Sequence, residues 1–300
     1  MTSTETVVLA VDFGGTKVAL ATVGRHGTVL ESDRFTFAAQ AGADQIVDHA
    51  IERARSLIRH TEVRCVGVSS PGIVLPDRVL LAPNVPGWED LALADRFRAG
   101  LGIEPVVGND VKAAASAELR WGSLAGRQQA IYLNLGTGIS TALVVNGAVV
   151  FGAHGAAGEI AYNLTTAETS WKGVHAGRAP LEEVVSGKAI GLRGARLTGA
   201  EPSARRVFEL ARTDPAAREL IDQAIRQLAM HVANLAIALD PAVIAVGGGM
   251  MAAAESILPT LRAAIQAAVP FPPELVQAHF RYDAALHGAA AMALDRLRFL

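Results

Sequence analysis

The chain has 300 residues, room for two domains of ordinary size, and a hydrophobic fraction of 51% that is ample for large cores and excludes disorder as its main state. Lys and Arg number 27 against 29 Asp and Glu, and no basic block stands out, so a nucleic-acid-binding surface is not expected. The single cysteine, Cys65, excludes a disulfide framework and any site built from several thiolates.

The polar residues 1–6 lead straight into a strand rather than a signal peptide, and no apolar run reaches the roughly 20 residues of a membrane span. A soluble cytoplasmic protein is therefore expected. Strand-length apolar runs alternate with helical patterns, an α/β signature. The first strand, Val7 to Val11, is aliphatic throughout, as a strand buried on both faces should be, and stops at Asp12-Phe13-Gly14-Gly15-Thr16. A second runs from about Val18 to Val23, and Gly24-Arg25-His26-Gly27 turns the chain into Thr28-Val29-Leu30. Residues 41–60 place Ile46, Ala50, Leu57 and Ile58 on one helical face. Strands follow at Cys65 to Val68 and Val106-Val107, then an alanine-rich helix from Val111 to Leu124.

A similar unit recurs further on. Ile131 to Leu135 reads as a strand ending in Gly136-Thr137-Gly138. It is followed by a strand from Ser140 to Val145, the hairpin dipeptide Asn146-Gly147, and Ala148 to Val150. The repeat predicts two similarly built domains with both glycine turns facing a cleft. The last third is mostly helical. Ile221 to Leu239 carries apolar residues at helical spacing, and Ala242 to Val246 is a strand ending in Gly247-Gly248-Gly249. A helix of about 15 residues and a final helix near Gly288 to Arg298 complete the chain.

Glycine turns after buried strands present bare amides that cradle phosphate oxygens, although a lone pair is as well explained as a tight turn. Three such turns suit a nucleotide, two for its phosphates and one for adenine and ribose. The dinucleotide pattern G-x-G-x-x-G is absent, which argues against a nicotinamide site. Asp12, at the first turn, reads either as the holder of a hydrated Mg²⁺ or as a residue satisfying turn amides. Lys17 reads as a phosphate ligand or a solvated cation. Asp110, ahead of the helix at Val111, reads as a helix N-cap or as a general base. Composition and spacing do not choose between these.

Asp12-Phe13-Gly14-Gly15-Thr16-Lys17, Pro83-Asn84-Val85-Pro86-Gly87-Trp88, Asn109-Asp110, Leu135-Gly136-Thr137-Gly138 and Gly158-Glu159-Ile160 occur in that order. With Leu181-Glu182 and the stretch from Asp240-Pro241 to Gly249, this set resembles the ROK family of sugar kinases and repressors, in the hexokinase–actin superfamily. The resemblance implies two actin-like, ribonuclease H-like α/β domains with an interdomain cleft. The smaller would span 1–116, joined by the C-terminal helix 287–300, and the larger 117–286. It implies ATP-dependent phosphorylation of a hydroxyl on a sugar or sugar-like polyol, with Mg²⁺, in a homodimer.

Residue by residue, the resemblance makes Asp110 the base. Asn84, Asn109, Glu159, Tyr162 and Glu182 join it as acceptor-binding residues. Asp12 becomes the Mg²⁺-associated aspartate, reached through water. Gly14, Gly15, Thr16, Lys17, Thr137 and Gly138 become phosphate-binding, and Gly248-Gly249 the adenosine end. Relatives hold a structural zinc with one histidine and three cysteines, and here those positions are Tyr162, Gly173, His175 and Pro180. No structural zinc is therefore expected, and residues 163–180 need another source of order, such as Trp171 packing or Pro180. Tyr162 alters the pocket floor, which favours a substrate other than plain glucose: another hexose, an amino sugar or a cyclitol. Only eleven residues precede Asp12, too few for the helix-turn-helix of the repressor relatives. The alternative is an inactive sugar-binding relative, against which the retention of Asp12, Asp110, Glu159 and Glu182 argues.

Overall fold

A computed structural model describes residues 6–38, 41–82, 85, 87–166 and 173–298. In chain order the first elements are β1 (Val7–Phe13), β2 (Lys17–Gly24), β3 (Val29–Thr36), α1 (Ala43–Leu57), β4 (Val63–Ser70), and the short hairpin β5 (Ile73–Val74) and β6 (Val79–Leu80). Next come α2 (Leu93–Leu101), β7 (Pro105–Asn109), α3 (Asp110–Trp121), β8 (Ala130–Leu135), β9 (Ile139–Val145), β10 (Ala148–Val149), α4 (Glu182–Val185) and α5 (Gly187–Thr198). The chain closes with α6 (Ala204–Leu210), α7 (Pro215–Leu239), β11 (Val243–Gly247), α8 (Ala254–Ala268), β12 (Glu274–Gln277) and α9 (Ala284–Arg296).

The chain divides into two compact units. The first comprises residues 1–126, 151–157 and 282–300, and the second 127–150 and 158–281. A boundary at 116/117 would cut α3, which packs along α9; the helix stays whole within the first unit, and α9 belongs there too.

The first unit is built on a sheet of order β3-β2-β1-β4-β7, with β1, β4 and β7 parallel and β2 and β3 antiparallel. Side chains alternate across a strand, so β1 feeds two cores. Leu9, Val11 and Phe13 meet Ile46, Val47 and Ala50 of α1, while Val8 and Ala10 meet Leu286, Ala289, Ala290 and Ala293 of α9. The α9 side is made of small residues because the helix backbone lies directly on the sheet. A Cβ on Gly67 would overlap the Ala289 carbonyl, and one on Gly288 would overlap that of Ala113 in α3.

The second unit repeats the plan, with order β10-β9-β8-β11-β12: β8, β11 and β12 parallel, β9 and β10 antiparallel. Ile131, Leu133, Leu135, Ile244 and Val246 of its sheet pack on Ile225, Leu228 and Val232 of α7 and on Ile257, Leu261 and Ile265 of α8. Helix α7 starts before the expected Ile221, because Pro215 takes its first position and the Asp214 carboxylate accepts the Ala217 N–H at 2.8 Å. Among the described residues, no helix is long and apolar enough to cross a membrane.

Candidate active site

The β1–β2 turn is closed by a bond from Gly14 N–H to the Lys17 carbonyl at 2.9 Å. Gly15 and Thr16 are exposed, and among the described residues neither amide finds a backbone acceptor. Asp12 pairs with Ser69 in the β1–β4 register, and Ser70 pairs with Asn109 in the β4–β7 register. The carboxyl ends of three adjacent parallel strands thus bring Asp12, Ser69 and Asn109 to one edge of the sheet, where ligands of open α/β sheets bind.

Burial pushes the Asp12 carboxyl up to about 6. The Ser69 hydroxyl draws it down, the Asp283 carboxylate adds to the rise, and the Lys17 and Arg34 cations oppose it. Asp283, in the left-handed conformation ahead of α9, accepts the Arg34 guanidinium. A carboxyl and a hydroxyl form a hard oxygen donor set, and a divalent cation beside them would restore the carboxylate, so these residues fit hydrated Mg²⁺. Among the described residues no group of His, Cys, Asp and Glu forms a richer metal site.

The capping of α3 settles on Asn109. Its Oδ1 accepts the N–H groups of Val111 at 2.9 Å and Lys112 at 3.2 Å, and its Nδ2 donates to the Gly72 carbonyl at 2.8 Å. One Nδ2–H is left over for a ligand. The N-cap reading of Asp110 is thereby displaced by one residue: Asp110 is the first residue of the helix, and its Oδ1 accepts its neighbour's amide, Val111 N–H, at 2.8 Å. It stands at the positive end of the α3 dipole. In the stretch Pro83 to Trp88, Asn84 lies outside the described residues. Trp88 is a core residue, stacked at a tilt on Phe13 and donating its indole N–H to Ser70 Oγ at 2.8 Å.

In the second unit, Gly136 N–H bonds the Gly138 carbonyl at 3.0 Å to close the β8–β9 turn. The amides of Thr137 and Gly138 find no backbone acceptor among the described residues. Gly136 and Thr137 line an open groove of about 1230 Å³, shared with Gly187 and Lys188 of α5, Phe208 of α6, and Gly249 and Met250. Gly248 adopts φ +92°, and a Cβ there would overlap the Leu135 carbonyl, so only glycine lets the end of β11 pass β8 at this turn. Sequence reasoning missed Gly187 and Lys188. The signal was present in Ser186-Gly187, where Ser186 Oγ caps α5 by accepting Ala189 N–H at 3.1 Å.

Three acceptor candidates gather beside this turn. Gly158, at φ +85°, lies against Thr141, whose amide and hydroxyl both donate to the Gly158 carbonyl. That pins Glu159, which accepts the Ser140 hydroxyl at 3.1 Å. Tyr162 ends the 3₁₀ turn Ile160–Tyr162, and its phenol is pushed up by burial and then by the Glu159 and Glu182 carboxylates. Glu182 Oε2 accepts the Ile139 N–H at 3.0 Å, and a Cβ on Gly138 would overlap that same oxygen. Next to it, Glu183 accepts Arg178 Nε at 2.8 and 2.9 Å and Ala179 N–H at 3.0 Å, and Leu181 N–H bonds the Ala161 carbonyl at 3.1 Å. These bonds tie residues 178–183 to one another and to Ala161; Trp171 lies outside the described residues.

A family model described as ROK family matches residues 8–296. An N-acetylmannosamine kinase from Yersinia pestis is 31% identical, with 96% of this chain and 99% of that protein covered. A ROK hexokinase from Thermus thermophilus superposes with a TM-score of 0.84 at 26% identity, covering 98% of this chain and 100% of that one. A ROK family glucokinase from Streptomyces griseus, solved with glucose and AMPPNP, gives 0.78 at 27% identity over 96% of this chain and 99% of that one. With two α/β units of one strand order and the glycine turns in family sequence, the chain belongs to the ROK family and has the actin-like two-domain fold of its hexokinases.

Proposed function

We propose that the chain transfers the terminal phosphoryl group of ATP to a hydroxyl of an N-acylated amino sugar, with Asp110 as general base. As an ATP-dependent sugar kinase it must grip a polyphosphate, hold a polyol and take one proton from it. The observation that carries the reading is the meeting of Glu159, Tyr162 and Glu182 beside the turn Gly136-Thr137-Gly138, with Glu182 bonded to the turn's own edge at Ile139. Two carboxylates accept hydrogen bonds from neighbouring hydroxyls, and a phenol held in its protonated form donates one. Its ring also offers a flat apolar face, which suits an acyl-bearing sugar. The 31% identical N-acetylmannosamine kinase supports the same acceptor class.

On the first unit, the exposed amides of Gly15 and Thr16 bind phosphate oxygens, and Asp110 accepts the hydroxyl proton as the new P–O bond forms. Asp12 with the Ser69 hydroxyl would hold a hydrated Mg²⁺, which when bound neutralises charge on the donor phosphates. Asn109 offers its remaining Nδ2–H to the acceptor.

The test is ADP release, with ATP and Mg²⁺, across N-acylated amino sugars, hexoses and cyclitols. Turnover of an N-acylated amino sugar well above that of glucose is expected. Efficient glucose phosphorylation overturns the acceptor assignment, and no ADP release with any polyol overturns the kinase reading in favour of an inactive sugar binder.

A further inference from the structure

Helix α5 begins against the second glycine turn. Gly187 N–H donates to the Gly136 carbonyl at 2.9 Å and Lys188 N–H to the Thr137 carbonyl at 3.2 Å. Gly187 has to be small here, since a Cβ would crowd the Gly136 carbonyl. These two bonds hold the Lys188 backbone against the turn that carries the amides of Thr137, which is exposed, and Gly138, which is half-buried. The side chain is exposed, lines the same groove, and forms no ion pair with any described residue. Three further cations line the groove from other elements. Arg205 lies 3.8 Å from Glu209 along α6, Arg212 follows that helix, and Arg281 follows β12.

The pattern is that of a phosphate site with one part unassigned. Two amides without a backbone acceptor among the described residues supply directional donors but only partial charge, whereas a donor phosphate chain carries several formal negative charges. A lysine on a four-carbon stem is a mobile point charge able to follow such a chain as it reacts. Its neighbours in α5, Ala189 and Ile190, are buried, so packing holds the helix while leaving the ammonium free to swing.

We propose that Lys188 is a donor-binding residue whose ammonium contacts the phosphate oxygens cradled by Thr137 and Gly138, and so makes nucleotide affinity depend on phosphate number. The proposal rests on the reading of Gly136-Thr137-Gly138 as a phosphate loop, and goes beyond it by naming the charge that loop lacks.

Calorimetric titration of AMP, ADP and AMPPNP into the wild type, Lys188→Gln and Lys188→Arg provides the test. In Lys188→Gln, AMPPNP binding should weaken about tenfold and ADP binding less, with AMP unchanged, because a charge-assisted bond is lost only where the phosphate chain extends. Lys188→Arg should recover most of the loss, and added salt should weaken AMPPNP binding less in Lys188→Gln than in the wild type. Equal losses for AMP, ADP and AMPPNP would mean that the substitution acts through α5, and would overturn the proposal. So would AMPPNP affinity unchanged from the wild type. If the wild type itself fails to bind AMPPNP, the phosphate-loop reading falls, an outcome distinct from either of these.

Discussion

At the scale of single residues, the sequence left both the helix cap and the proposed base on Asp110, and the structure gives the cap to Asn109. Since Asn109 caps α3, Asp110→Asn should cut phosphoryl transfer by about 10²–10⁴-fold and leave the melting temperature within about 1 °C of the wild type. A large drop in melting temperature with little loss of turnover would return Asp110 to a structural role. Asp12 gives a pH dependence of definite sign. Its folded carboxyl keeps its proton to about 6 whereas the unfolded chain releases it near 3.8, so between those values the folded state holds more protons. Its contribution to stability therefore falls as pH rises through this window, and at neutral pH the buried charge costs about 3 kcal/mol in the absence of a cation. Asp12→Asn should raise the melting temperature of the ligand-free protein at pH 7.5, raise it much less at pH 4.5, and impair turnover at both. An equal gain at the two pH values would sink this account.

At the scale of elements, α9 packs backbone-close on the first sheet at Gly67 and on α3 at its own Gly288. Gly288→Ala would set a methyl group onto the Ala113 carbonyl. A loss of about 3 kcal/mol or more is expected in a denaturant midpoint, larger than for most core substitutions because backbone rather than side chain must move. Because α3 begins at Asp110, turnover should fall with it. The Arg178–Glu183 clasp is of another kind. It is an exposed ion pair, so its removal by Arg178→Ala should change the melting temperature little, yet it braces the residue next to Glu182. We expect the KM for the acceptor to rise about threefold to fivefold while that for ATP holds, with partial rescue by Arg178→Lys. Matching rises in both KM values would show that the clasp does not serve the acceptor.

At the scale of the whole molecule, the duplicated plan was open to inspection in the sequence. Strand, glycine turn, strand, tight turn and strand recur at Val7 and at Ala130, and both sheets adopt one strand order. The partition of the chain was not open to inspection. Residues 151–157 join the first unit although composition changes nowhere near them, whereas the joining of the C-terminal helix was an expectation of the family resemblance. The short elements β5, β6, β12, α2, α4 and α6 also escaped the reading, being too brief for periodicity to outweigh turn residues, and so did α5, where Gly187, Gly191 and Gly194 weaken the helical pattern. One prediction belongs here. The zinc positions of relatives are occupied by Tyr162, Gly173, His175 and Pro180, so metal analysis should find no stoichiometric zinc and a strong chelator should leave the melting temperature unchanged. A chelator-induced drop of several degrees would contradict it.

What the sequence determined by itself is local. Aliphatic runs make Val7–Phe13 and Ala130–Leu135 buried strands, glycines mark where the chain turns with its amides bare, and the order of those turns carries the family resemblance. Such features depend on sterics and burial within a few residues. Only the tertiary structure decided that Asp12, Ser69 and Asn109 share one sheet edge, that Asn109 rather than Asp110 caps α3, and that Glu182 reaches back 43 residues to the Ile139 amide. Those outcomes depend on strand register and on which distant groups close a loop together, and many local patterns are compatible with each of them.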